Sequence, residues 1–211
     1  MKALLFDFAG VFMNSPFTAV DDVAATMQVD ALLLRAIIFG DYRQDNDHPW
    51  HQLERGEISL DETREAILCL SREHQLEVDI FDVFAGFAEL EKHSNDLLVG
   101  QLLQWKAMGY KLAMVTNNIK EFDRWRQMFP FDVDDVFDVI ADSCHLGTRK
   151  PDPAIFEYTL SELGVEAEQA LFVDDYPTNV SAAEKLGISS YCLTAMDVKS
   201  VEQFIDWVNS H

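Results

Sequence analysis

The 211-residue chain predicts an α/β fold: a doubly wound parallel sheet, Rossmann-like, with a small helical cap inserted after its first strand. Three observations predict it. Residues 3–6 are an unbroken apolar run, Ala-Leu-Leu-Phe, as expected of a strand covered on both faces. After about residue 95, apolar runs of strand length alternate with helical patterns, the rhythm of βαβ units. Between these two regions, residues 15–90 carry helix signals and no strand signal. Residues 1–14 and 91–211 are therefore expected to form the sheet core, and residues 15–90 the cap.

The elements follow in order. The first strand ends at Asp7, and Gly10 marks a turn. Ser15 and Pro16 are suited to open a helix, with Phe17, Val20, Ala24 and Met27 on one face. Asp30 caps a second helix, 31–39, which Gly40 stops. A polar loop, 41–49, carries Arg43, Asp45, Asp47 and His48 and leads to Trp50, His51 and Leu53. Ser59 with Glu62 has the form of a capping box and opens a helix to about His74. Another helix is expected over 79–90. Ser94 or Asn95 then caps a helix with Leu98, Leu102, Trp105 and Met108 inward. Strands are expected at 111–115, 136–141, 170–173 and 188–193. Helices follow each of them: to about Met128, from Asp152-Pro153 to Gly164, over 177–186, and over 201–208.

Composition narrows the function. With 48% hydrophobic residues the chain has material for a core. Its net charge of −21, from 37 acidic and 16 basic residues, repels phosphate backbones and anionic lipid, so neither nucleic acid nor membrane is an expected partner. Cys69, Cys144 and Cys192 lack metal-type spacing and read as reduced, mostly buried thiols of a cytoplasmic protein. The apolar start is too short for a signal peptide and is interrupted by Asp7, and no stretch reaches transmembrane length.

Three strand ends carry polar groups: Asp7, Thr116-Asn117 and Asp174-Asp175. Lys150 precedes Pro151-Asp152-Pro153 in a loop after the third strand. Open α/β sheets place their ligands at this carboxyl edge. The chemistry that uses such a set is phosphoryl transfer through a carboxylate nucleophile, which divides one hard step into two. Attack on a phosphate dianion needs positive charge nearby. Mg2+ accepts oxygen ligands from Asp7, one of the acidic pair and a backbone carbonyl, Lys150 adds a cation, and a hydroxyl with an amide donates to phosphoryl oxygens.

Four segments, Phe-Asp-Phe-Ala-Gly-Val, Val-Thr-Asn-Asn, Arg-Lys-Pro-Asp-Pro and Phe-Val-Asp-Asp, resemble in order the motifs of the haloacid dehalogenase-like (HAD) hydrolases, across nearly the whole chain. The passages Ser-Pro-Phe, Leu-Glu-Arg-Gly-Glu-Ile-Ser and Leu-Gly-Thr-Arg-Lys-Pro-Asp-Pro resemble the subgroup that includes the amino-terminal phosphatase domain of soluble epoxide hydrolases. The resemblance implies that Asp7 is nucleophile and metal ligand, that the backbone carbonyl of Ala9 and Asp175 complete the Mg2+ ligands with Asp174 behind or exchanging with Asp175, that Thr116 and Asn117 bind phosphate, and that Lys150 bridges phosphate and Asp7. It places the first strand between the second and fourth, and implies a small phosphorylated metabolite as substrate.

Ala9 departs from the pattern: most phosphatases of the family have an aspartate there as general acid. A positioned acid contributes about 10²–10⁴-fold. The expectation is a slow phosphatase, or one restricted to good leaving groups such as a sugar 1-phosphate or acyl phosphate, or one that draws an acid from His48 or His51. Alternatives are a 2-haloacid dehalogenase-type hydrolase, to whose halide the Asp174-Asp175 pair is hostile, a phosphonoacetaldehyde hydrolase, for which the cap has no lysine, and a non-catalytic phosphate-binding protein. Trp50, Phe39 and Phe12 are candidates for the pocket wall, and Asp132, Asp134, Asp135 and Asp138 for a solvated loop.

Overall fold

The computed structural model describes residues 2–90 and 95–211. Five strands, β1 (Ala3–Phe6), β2 (Lys111–Thr116), β3 (Val139–Asp142), β4 (Ala170–Asp174) and β5 (Ser189–Cys192), form one parallel sheet in the order β3-β2-β1-β4-β5. The doubly wound α/β expectation holds, with β1 central between β2 and β4. Leu5 stands opposite Ala113 on one side and Phe172 on the other.

The central strand is apolar throughout because both faces are covered. Leu4 and Phe6 face a cluster containing Leu98, Leu102 and Trp105 of α6 (Asp96–Ala107) and Phe204 and Val208 of α11 (Val198–Asn209). Ala3 and Leu5 face Ile155 and Phe156 of α9 (Pro153–Leu163) and Ala183 of α10 (Pro177–Lys185). Period-2 alternation thus divides one strand between two cores.

Five helices lie between β1 and α6: α1 (Pro16–Met27), α2 (Ala31–Phe39), α3 (Pro49–Glu54), α4 (Leu60–Glu73) and α5 (Ile80–Leu90). They share a third cluster around Val20, Leu34, Ile38, Trp50, Ile67 and Val83. Asp30 caps α2, and the Ser59–Glu62 capping box opens α4. Asn95 ties this passage to the sheet: its N–H donates to the Phe12 carbonyl (2.9 Å), its Nδ2 to the Val11 carbonyl (3.0 Å), and its Oδ1 accepts from Leu98 N–H (3.2 Å). The alternative cap, Ser94, lies outside the described residues.

Some expectations are corrected. Met108 is 66% exposed, not inward, because α6 ends at Ala107 and the chain turns away there. The segment after β2 makes a short 3-10 helix, Asp123–Met128, rather than an α-helix. The strand expected at 136–141 is shifted, since a helical turn, α7 (Val133–Val136), is capped by Asp132, and a second turn, α8 (Ser143–Leu146), follows β3. The acidic cluster there is partly engaged: Asp134 pairs with Arg126, and Asp138 pairs with Lys106 and accepts from Leu112 N–H. Cys144 is buried, but Cys69 is exposed and Cys192 half-buried; all three are free thiols. Among the described residues no helix is long and apolar enough to cross a membrane.

Asn95→Ala removes a helix cap and strands a buried carbonyl, which together cost about 2–3 kcal/mol. The expected drop in Tm is roughly 4–10 °C, measured by thermal unfolding.

Candidate active site

Parallel pairing of β1 with β4 sets Asp7 beside Asp174, and the Asp7 N–H donates to the Val173 carbonyl (2.9 Å). Lys150, wholly buried, lies between the two carboxylates, its Nζ 2.7 Å from Asp7 Oδ1 and 2.7 Å from Asp174 Oδ2. The Phe8 N–H also donates to Asp7 Oδ1, at 2.7 Å. Asp174 accepts further from Tyr176 N–H (2.7 Å) and from Asn179 Nδ2 (3.2 and 3.1 Å). Both its oxygens are therefore committed to the protein.

Asp175 completes the cluster. Oxygens of Asp7, Asp174 and Asp175 lie within 4.8 Å of one another. Gly10 makes this approach possible: it sits at φ +87, and a Cβ there would lie 2.1 Å from Asp175 Cγ. Ser15 heads α1 but makes no side-chain cap bond; its hydroxyl is instead directed to Asp175.

Three carboxylates around one ammonium, Asp7 and Asp174 buried and Asp175 half-buried, leave an excess of negative charge. Burial pushes the Asp7 carboxyl well above its ordinary range; Lys150 opposes this, while Asp174 and Asp175 add to it. Burial, then repulsion from Asp174, pushes Asp175 up to about 7. Burial pulls Lys150 down, but Asp174 and Asp7 more than reverse it, so the amine stays charged. The same donor set, all oxygen and hard, suits a hard divalent cation.

Thr116 is buried at the end of β2 and lines the same cavity. Asn117 is spent differently: its Oδ1 accepts from Lys150 N–H (2.8 Å), and its Nδ2 donates to the Lys150 carbonyl (3.0 Å). It therefore clamps the backbone that carries the lysine. Ala9 lines the cavity as well.

Residues not singled out from the sequence supply the opposite wall. Glu54, buried at the end of α3, accepts from Arg149 Nε (2.7 Å), Trp50 Nε1 (2.9 Å) and the Tyr42 hydroxyl (2.6 Å). The Arg149 guanidinium lies over the Tyr42 ring, 4.4 Å from its centroid. Helix α3, Tyr42 and the loop that carries Arg149 and Lys150 thus share one buried polar network. His48 and His51 do not line the cavity. His48 caps α3, its Nδ1 accepting from Trp50 N–H at 3.2 Å. His51 is wholly buried; burial, then Arg149, lowers its pKa to about 3. Neither is placed to protonate a leaving group. Phe39 and Trp50 line the cavity as expected, whereas Phe12 belongs to the sheet core.

The family model "haloacid dehalogenase-like hydrolase" matches residues 1–187. The chain is 30% identical to the sesquiterpene phosphatase astK of Aspergillus oryzae, covering 92% of this chain and 90% of that one. It is 26% identical to a D-ribitol-5-phosphate phosphatase of Bacteroides thetaiotaomicron, covering 90% and 91%. Other relatives are far longer. The chain spans 17% of mouse acyl-CoA dehydrogenase family member 10 (30% identical over 191 residues) and 38% of mouse bifunctional epoxide hydrolase 2 (23% over 220). Among solved structures, a HAD family enzyme from Bacteroides thetaiotaomicron in complex with magnesium and inorganic phosphate superposes with a TM-score of 0.63 at 22% identity, covering 91% and 93% of the two chains. That is a likeness of fold.

A raised carboxyl pKa has a thermodynamic consequence. Between pH 3.8 and about 7 folded Asp175 keeps a proton that the unfolded chain has lost, so stability falls as pH rises through this window. In Asp175→Asn this loss is absent. With divalent cations removed, the variant's Tm relative to wild type is expected to rise by several degrees from pH 5 to pH 8, measured by scanning calorimetry.

Proposed function

The chain belongs to the haloacid dehalogenase-like hydrolase family, and on that premise we propose that it is a Mg2+-dependent phosphatase acting on a small phosphorylated metabolite through an aspartyl-phosphate intermediate. The observation that carries this is the sharing of Lys150 between Asp7 and Asp174, with Asp175 alongside, in one cavity. In this reading Asp7 is the nucleophile, and Lys150 with the Phe8 N–H orients its carboxylate. Thr116 donates to the phosphoryl group, and Asn117 contributes by fixing the Lys150 loop.

The metal would be held by Asp7, Asp175 and the main-chain carbonyl of Ala9, with Asp174 behind them because its oxygens are already bonded. When bound it offsets the charge of the carboxylates and of an incoming dianion. Magnesium is also what the Bacteroides thetaiotaomicron enzyme holds. Helices α1–α5, residues 15–90, serve as the cap that closes the carboxyl edge over the substrate, and residues 1–14 and 91–211 form the core domain. The reaction runs in two halves. An Asp7 oxygen bonds to phosphorus as the ester P–O bond breaks, and water then hydrolyses the acyl phosphate. The net charge of −21 weighs against a nucleic acid or membrane partner. Free thiols suit a reducing, cytoplasmic setting.

The missing acid at Ala9 makes the leaving group decisive. Wild type is expected to hydrolyse p-nitrophenyl phosphate with Mg2+ and to lose this activity on chelation. Asp7→Asn should lower kcat at least ~10³-fold, a barrier increase of about 4 kcal/mol. Magnesium-dependent turnover that survives in Asp7→Asn contradicts the proposed nucleophile. Ala9→Asp should raise kcat on simple alkyl phosphates by roughly 10-fold or more while changing p-nitrophenyl phosphate turnover much less; equal effects on both contradict the assigned role of position 9.

A further inference from the structure

We propose that the alcohol half of the substrate is a compact aromatic one, so that the chain hydrolyses phosphate monoesters of hydroxyarenes. This rests on the phosphatase reading above and narrows its substrate class.

The cavity that contains Asp7 is walled by a continuous set of rings. Tyr176, next to Asp175, stacks on Phe17 (5.6 Å, 27°) and meets Tyr42 edge-on (5.3 Å, 88°). Phe17 meets Phe39 edge-on (4.9 Å, 83°), and Phe39 meets Trp50 (4.9 Å, 77°). All five line the cavity. Such a wall offers faces and edges to another ring in the stacked and T-shaped arrangements that aromatic pairs prefer.

Most of the polar groups along this wall are already used, the Tyr176 hydroxyl excepted. Tyr42 and Trp50 both donate to Glu54, whose other oxygen is taken by Arg149. Asn117 holds the Lys150 backbone, and Asn118 Nδ2 donates to Asp142 at 2.7 Å. Asn179 turns its amide to Asp174, leaving only its buried Oδ1. Glu121 and Arg124 are exposed at the rim. A sugar would bring several hydroxyls out of water and find few partners there, which is costly. An arene brings none.

Size and chemistry agree. The cavity holds about 240 Å³, below the ~300–1,000 Å³ of pockets for drug-sized ligands, so phosphate plus one or two rings is the natural load. Ala9 presents a methyl where a carboxyl would protonate the departing oxygen. A phenolic oxygen, with a conjugate acid near pKa ~10 as in tyrosine, leaves as the anion; an alkoxide does not do so readily. In the step proposed, an Asp7 oxygen bonds to phosphorus, the P–O bond to the arene breaks, and its electron pair leaves on the aryloxide, which takes a proton from solvent. Water then attacks the aspartyl phosphate, releasing inorganic phosphate and one proton and regenerating Asp7.

The test separates pocket fit from leaving-group reactivity. With Mg2+ present, kcat/KM is measured for 2-naphthyl phosphate, ribitol 5-phosphate and octyl phosphate on wild type and Asp7→Asn. Inhibition constants are measured for (2-naphthylmethyl)phosphonate and methylphosphonate, which have no leaving group. The expected results are Asp7-dependent turnover at least 100-fold better on the naphthyl ester than on the other two, and naphthyl phosphonate inhibiting at least 10-fold more tightly than methylphosphonate. Phe17→Ala, at a half-buried position, should narrow that inhibition gap; if it fails to fold, the wild-type gap decides. Asp7-dependent turnover that favours the ribitol or octyl ester, or equal inhibition by the two phosphonates, overturns this inference and leaves the phosphatase reading standing. Absence of turnover on every ester, with the naphthyl phosphonate still bound tightly as measured by calorimetry, overturns the phosphatase reading and the hydrolysis proposed here.

Discussion

The structure depends on one ammonium group shared between two buried carboxylates. Lys150 meets Asp7 and Asp174 at equal distance, and Asp175 stands beside them. None of these groups tolerates burial alone, so the chain must bring them together from β1, β4 and the loop before α9. The strand order does this: β1 is central, β4 is its neighbour, and Asn117, just past the end of β2 on the other side, holds the lysine loop in place. The arrangement balances incompletely, with three potential negative charges against one positive. Burial first, and then repulsion among the carboxylates, raises Asp7 and Asp175 against the pull of Lys150, and a divalent cation would offset the charge that is left.

The same electrostatics reach across the cavity. Arg149 precedes Lys150, and its guanidinium is held by Glu54 and lies over Tyr42, both in the helical passage. A buried ion pair of this kind contributes little net stability relative to an apolar substitute, but breaking it is expensive. Its consequence here is positional. Tyr42 also receives a long contact from Asn117 Nδ2, 3.4 Å, so the side chain that clamps Lys150 touches the network that anchors α3. The wall facing Asp7 and the loop bearing the lysine are therefore fixed by common partners, and the orientation of one constrains the other.

Much of this was legible in the chain itself, and the limits have physical causes. Central strands were readable because burial on two faces leaves an unbroken apolar run, as in Ala3–Phe6 and Leu171–Val173. Helices α2 and α4 were readable from local chemistry, Asp30 and the Ser59–Glu62 box, which act within one turn. The segment after β2 was not, because its apolar residues pack irregularly against the sheet core and the cavity rather than along one helical face. The burial of Glu54 and Arg149 was invisible for a different reason. Each reads as a solvated charge by composition, and its burial is decided by a partner 95 positions away. The suspected acids His48 and His51 fail on the same ground: a polar loop suggests exposure, but the fold buries His51 against Arg149 and Asp45. Asn117 stands at the expected strand end, but its amide is consumed by the neighbouring loop.

An aromatic wall beside a charged centre sets a physical trade. Excluding water strengthens every electrostatic interaction within the cavity, which helps Lys150 hold an anion and also makes each uncompensated carboxylate harder to ionise. In the proposed reaction Asp7 must be ionised to attack, and burial works against that. The opposing influences are Lys150 and whatever cation occupies the carboxylate cluster. Gly10 is pivotal in this balance: with any side chain there Asp175 would have to retreat from Asp7, loosening the ligand set while the apolar walls stayed in place. An apolar cavity of this kind is compatible with a carboxylate nucleophile only where backbone and side chains can come as close as Gly10 and Asp175 do. In the proposed reaction the turn after β1 therefore matters as much as the aspartate that precedes it.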